Sequence, residues 1–234
     1  MTTSPVFCAI DRPDLDGAQA LSRSLADAVG GLKLGLEFFV ANGPKGVERI
    51  ADLSLPIFLD LKLHDIPNTV AGAVRSAGRL GVAMLTVHAA GGRAMLRAAV
   101  EAAGEAERSL WVLGVTVLTS LDDEDLRATG IREDAETQVL RLAELALEVG
   151  CQGIVCSPLE IEPLRERFGR EPRLVVPGIR PASEIQDQKR TLAPGRAIAK
   201  GADLLVIGRP ITGAPDPRAA ALAIDADIRR ARAA

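Results

Sequence analysis

Phe58-Leu59-Asp60-Leu61-Lys62-Leu63 alternates apolar and charged residues with a period of two. Successive side chains of a strand point to opposite faces, so Leu59, Leu61 and Leu63 share one face and Phe58, Asp60 and Lys62 share the other. Upstream, Leu32-Lys33-Leu34-Gly35-Leu36 does the same: the leucines lie on one face, and Lys33 lies on the other with Gly31 and Gly35. Which face is covered depends on what surrounds these strands. From end to end, short apolar runs (Val6–Ile10, Leu32–Leu36, Ile57–Leu61, Met84–Val87, Leu110–Val117, Gly153–Cys156, Leu174–Val176, Leu204–Ile207) alternate with helical periods. The helical periods are Leu15–Val29, Gly46–Leu53, Thr69–Leu80, Arg93–Ala106, Ala135–Val149, Leu159–Phe168, Pro194–Lys200 and Pro217–Arg230. Eight strands strictly alternating with eight helices imply a parallel sheet. Eight such units in 234 residues imply an α/β chain that closes into a single (β/α)8 TIM barrel, one domain over residues 1–234. An open doubly wound sheet is the alternative, but its Gly-x-Gly-x-x-Gly fingerprint is absent. In a barrel the leucines face the helices and the charges face the axis, where they cost free energy unless paired or used.

Composition bounds the function. A hydrophobic content of 47% supplies a sizeable core. A net charge of −3 argues against a nucleic-acid face, and 3% aromatics without tyrosine leave few platforms for stacking bases. No apolar run reaches the length of a membrane span. The expected partners are therefore small molecules or a second copy of the chain, with no nucleic acid and no membrane. The start Met-Thr-Thr-Ser-Pro lacks the marks of a signal peptide, so a cytoplasmic location is expected. Cys8, Cys151 and Cys156 are an odd set without metal-ligand spacing and read as small core residues. With only two histidines, a structural zinc site is not expected, and the metal and cofactor sets are both read as none.

Active sites of this fold form at the C-terminal ends of the strands. Those ends carry Asp11, Lys33, Asp60 with Lys62, His88, Thr119 with Ser120, Ser157, Arg180 and Arg209. Any one of them is explained as a solvated strand end. Alternating charges on three consecutive strands, with Asp65 just beyond, are better explained by function. After the last two strands come Pro177-Gly178-Ile179-Arg180 and Gly208-Arg209-Pro210. Loops there commonly form a phosphate site, for which glycine admits backbone N–H groups and arginine supplies a planar fork. The polar stretch Arg180–Leu192 reads as an active-site lid.

Asp60-Leu-Lys62-Leu-His-Asp65-Ile-Pro-Asn-Thr69 resembles the Asp-x-Lys-x-x-Asp-Ile-Pro-Asn-Thr signature of the orotidine 5′-phosphate decarboxylase family. The likeness runs from Asp11 in Phe-Cys-Ala-Ile-Asp to Val-Ile-Gly-Arg-Pro at 206–210, through Val115-Thr-Val-Leu-Thr-Ser120, Pro177-Gly-Ile-Arg180 and Asp187-Gln188. The core Asp-x-Lys-x-x-Asp is shared with sister enzymes; the Ile-Pro-Asn-Thr extension, Lys33 and Gly208-Arg209 narrow it. The resemblance implies conversion of orotidine 5′-monophosphate to UMP and CO2 without a cofactor, by an Asp-Lys-Asp-Lys array in which Lys33 and Lys62 interleave with Asp60 and Asp65 and Lys62 gives the proton. It further implies that Asp11 and Lys33 hold the ribose and that Thr119 or Ser120 reads the pyrimidine. Arg180, Gln188 (or Gln186), Gly208 and Arg209 would grip the phosphate, and Pro177 would bind the substrate as well. Ile66 is implied among the substrate-binding residues, and a homodimer is implied as well, in which Asp65 and Thr69 enter the neighbouring site; the alternative for Asp65 is a cap on the third helix. His64 is expected to point outward, and His88 stands behind the site. A metal-dependent phosphosugar decarboxylase or aldolase of the same superfamily would need an acidic ligand where Lys33 stands. A silent phosphate-binding barrel would have lost a member of the array.

Overall fold

The computed structural model describes residues 4–180 and 192–233. Its strands are β1 (Val6–Ala9), β2 (Gly31–Gly35), β3 (Ile57–Leu63), β4 (Met84–His88), β5 (Trp111–Val115), β6 (Gly153–Val155), β7 (Arg173–Val176) and β8 (Leu204–Ile207). Each pairs in parallel with its sequence neighbours, and β1 pairs with β8, so the sheet closes into an eight-stranded barrel. The helices are α1 (Leu15–Ser24), α2 (Leu36–Ala51), α3 (Pro67–Arg79), α4 (Gly92–Gly104), α5 (Asp123–Ala128), α6 (Ala135–Glu148), α7 (Ile161–Phe168), α8 (Pro194–Lys200), α9 (Arg209–Thr212) and α10 (Pro217–Ala233). The expected (β/α)8 alternation holds, with α5 and α9 as short additions in the loops after β5 and β8. Local chemistry explains α5: Asp122 and Asp125 form a reciprocal capping box over its first turn.

Two boundaries differ from the sequence reading by more than three residues. Helix α2 is two helical segments meeting at a kink: Gly43 (φ 60°) is non-helical just ahead of Pro44, so the expected helix from Gly46 lies in the second segment and a first segment from Leu36 precedes it. Helix α1 stops at Ser24 rather than Val29, since Asp14 caps its start but the apolar residues beyond Leu25 pack in turns.

The two faces of each strand sort into two clusters. Leu32, Leu34, Leu59, Leu61 and Leu63 pack outward with the helices. Inside the barrel Phe7, Phe58, Leu113 and Val175, one from each odd-numbered strand, pack with Ala9, Met84 and Val206. Phe7 and Phe58 meet edge to face at 6.4 Å between ring centroids. Cys8, Cys151 and Cys156 are buried free thiols, and burial raises the first two to about 12. No helix among the described residues is long and apolar enough to cross a membrane.

Candidate active site

The apolar plug stops short of the C-terminal mouth, and the next inward positions are charged. Lys33, 8% exposed, has its Nζ 3.1 Å from Asp11 Oδ1 and 3.7 Å from Asp60 Oδ2. Lys62 Nζ lies 2.8 Å and 2.9 Å from the two oxygens of Asp60. Asp60 therefore sits between two ammonium groups, with its side chain only 14% exposed. Among the described residues no buried side-chain nitrogen or oxygen lacks a hydrogen-bond partner, so the array is paired in full. No group of three or more His, Cys, Asp or Glu gathers among them in a manner that could hold a metal ion.

Two backbone features make this arrangement possible. A Cβ at Gly35 would come within 2.7 Å of Lys33 Nζ and 2.8 Å of Asp11 Oδ1, so only glycine leaves room for that ion pair. Lys62 has φ 51°, in the left-handed region. Its neighbour strand shows why: β3 pairs with β4 at Leu59–Leu85 and next at Leu63–Val87, so an irregularity separates the two contacts. Simple period-two parity therefore fails just where Lys62 stands. The Thr86 hydroxyl, buried on β4, fills the gap by accepting from Lys62 N–H at 2.8 Å and donating to Asp60 Oδ1 at 2.9 Å.

Beside the array lies a cavity of about 180 Å³ lined by Lys33, Asp60, Lys62, Thr119 and Pro177, with Phe58, Val115, Val117, Leu118, Val155, Cys156 and Val206 as an apolar wall. Larger hollows, such as the one between the C-terminal ends of α3 and α4, lie away from these charges. Gly208 and Arg209 follow β8, and Pro177 and Arg180 follow β7, so the two arginines rise from adjacent strands at the same mouth. Ser120 is exposed beside Thr119. Gln186 and Gln188 lie outside the described residues.

Asp65 is not drawn into its own array. It is exposed, and its Oδ1 accepts from the N–H of Ile66 at 2.6 Å. The residue at the N-cap of α3 is Ile66, without a side-chain capping bond, so Asp65 is not the helix cap. Ile66 is 67% exposed and Thr69 is exposed on the same first turn. The imidazoles of His64 and His88 lie 5.5 Å apart, and burial, then His64, then Lys62 push His88 below the usual imidazole range.

The sequence profile of the Orotidine 5′-phosphate decarboxylase / HUMPS family matches residues 4–224. The chain belongs to this family. Within the orotidine 5′-phosphate decarboxylase / HUMPS family it is 54% identical, over 96% of its length and 98% of the relative's, to the orotidine 5′-phosphate decarboxylase of Paramagnetospirillum magneticum. It is 52% identical to that of Rhodospirillum rubrum, over 97% of this chain and 95% of the relative. The crystal structure of orotidine 5′-phosphate decarboxylase from Lactobacillus acidophilus superposes with a TM-score of 0.85 at 36% identity, covering 96% of this chain and 99% of that one.

Residue reasoning had no hold on Thr86, Gly35 or the apolar wall. Thr86 could have been found by parity, since it shares the inward face of β4 with Met84. Val115 and Val155 look like ordinary core residues in the sequence and carry no such signal.

Proposed function

We propose that this chain decarboxylates orotidine 5′-monophosphate to UMP and CO2, the last step of de novo pyrimidine nucleotide synthesis. Identity above 50% over nearly the full length of relatives named for that activity makes it a carboxy-lyase. The observation that carries the mechanism is the Lys62 ammonium held on Asp60 at the edge of a small, largely apolar cavity.

The chemistry follows from what is there. Breaking the bond from C6 to the carboxylate releases CO2 and leaves an electron pair on C6. The Lys62 ammonium offsets that charge and then transfers one proton to C6, and solvent restores the lysine. Asp60 holds the ammonium in place before substrate arrives, and Lys33, held by Asp11 and Asp60, fixes the other side of Asp60. In this reading Asp11 and Lys33 meet the ribose, Thr119 or Ser120 meets the pyrimidine, Arg180, Gln188, Gly208 and Arg209 meet the phosphate, and Pro177 lines the cavity. Phosphate binding, remote from the reacting carbon, supplies energy to order the site. No metal takes part: Lys33 and Lys62 already occupy the carboxylate oxygens that a divalent cation would need.

Two copies of the chain complete the site, each giving Asp65 and Thr69 to the other. Support comes from the exposed Asp65 and from Ile66, Leu36 and Val40, large apolar side chains left in solvent at the starts of α3 and α2. We place the enzyme in the cytoplasm, acting as a single barrel domain. The test is the loss of orotidine 5′-monophosphate absorbance with purified protein, before and after exhaustive EDTA dialysis. Turnover unchanged by EDTA is expected. No turnover would overturn the function, and a loss restored by magnesium would move the chain to a metal-dependent branch.

A further inference from the structure

Strand β4 carries a fully buried hydroxyl to which the mechanism above gives no part. Thr86 Oγ1 accepts from the backbone N–H of Lys62 and donates to Asp60 Oδ1, at 2.8 Å and 2.9 Å. A hydroxyl has one donor and two acceptor sites, so a single side chain serves both partners. Both need it. Lys62 adopts φ 51°, which side chains of L-residues rarely take, at the place where the β3–β4 ladder is irregular. Its N–H is satisfied by this side chain within the gap in strand pairing. Asp60 is pulled by two ammonium groups, and the hydroxyl fixes which oxygen turns toward β4.

An ammonium on a flexible four-carbon stem is placed only by what holds its base and its tip. Here one oxygen atom holds the backbone of Lys62 directly and its tip through Asp60. From this geometry we infer that Thr86 is a positioning residue for the proton donor, setting where the Lys62 ammonium stands when C6 acquires charge. The inference rests on Lys62 acting as the acid in the function proposed above. It gives Thr86 no contact with substrate.

The experiment compares kcat, KM and inhibition by UMP in wild type, Thr86→Val, Thr86→Ala and Thr86→Ser. Val keeps the volume and removes the oxygen. Ala and Ser differ by that oxygen alone, so this pair carries the comparison where Val does not fold. Misplacing the ammonium by a fraction of an ångström to an ångström should lower kcat roughly 10- to 100-fold in Val and Ala. KM and UMP inhibition should stay within about threefold, because binding does not depend on the acid. Ser should regain most of the loss. Thermal midpoints report packing damage, which would affect Ala and Ser alike. A wild-type kcat in Ala, a Ser variant as slow as Ala, or UMP affinity falling in step with kcat would each overturn the inference. A wild type inert toward orotidine 5′-monophosphate would overturn the functional reading itself, and this inference with it, which distinguishes the two failures.

Discussion

The two oxygens of Asp60 grip the Nζ of Lys62 at 2.8 Å and 2.9 Å, so one carboxylate fixes this ammonium from two directions. Oδ2 also faces Lys33 at 3.7 Å, and Oδ1 takes the Thr86 hydroxyl. Asp60 thus keeps partners when any single one is removed, and mutations at its neighbours can be read as functional lesions rather than as a stranded buried charge.

Lys62→Ala should lower kcat by at least roughly 10³-fold while UMP still binds, because an electrostatic stabiliser and the proton source are lost together. Alanine adds no new backbone strain, since lysine already occupies φ 51°. The measurement is turnover of orotidine 5′-monophosphate alongside titration with UMP. Near-wild-type kcat would remove Lys62 from the mechanism.

Mixing Lys62→Ala with Asp65→Ala tests the shared site. Each homodimer carries a lesion in both sites and should be severely impaired. In a heterodimer one site receives both lesions and the other receives neither. With random exchange about half the dimers are mixed, so activity should return to about a quarter of wild type. If exchange is verified and nothing returns, Asp65 acts within its own chain.

Arg209→Ala should weaken the phosphorylated substrate far more than its nucleoside. A charge-assisted hydrogen bond is worth roughly 1.5–3 kcal/mol, or about 10- to 150-fold in affinity. Equal losses for both ligands would take Arg209 away from the phosphate.

Acid should destabilise the protein partly through His88. Burial first, then His64 and Lys62, keep its imidazole below the ordinary value of 6.5, so the unfolded chain binds this proton more readily. Its contribution to stability is whole above that value and is lost as pH falls beneath it toward the folded pKa. Urea midpoints measured on either side of pH 6.5 should therefore drop more steeply in wild type than in His88→Gln. Parallel drops would assign the acid sensitivity to other groups.

The alternation of Phe58 to Leu63, repeated around Lys33, was enough to send charges to the axis and leucines to the helices. Barrel closure was legible because period-two and helical patterns alternate strongly along the chain. What escaped were features that sequence does not encode locally. Gly43-Pro44 does break α2, yet a helical segment stands on each side of it because both bury residues: Phe38 before it, Val47 and Ile50 after. The left-handed Lys62 was invisible because no glycine or asparagine advertises it; the conformation is imposed by the adjoining strand and by Thr86. Asp65 suggested two roles, and the observed start of α3 at Ile66 speaks against one of them, the cap.

The β1–β8 seam has a consequence for how the chain is made. Val6 pairs with Leu205, so the first strand to leave the ribosome waits for the last before its second edge is covered. At roughly 5–20 residues per second, that wait is about 10–40 s. Throughout it, Val6-Phe7-Cys8, apolar on both faces, presents an unpaired edge to whatever is nearby. A nascent chain paused before Leu204 would hold seven strands and no closed barrel, with the outer edges of β1 and β7 both left open to pairing.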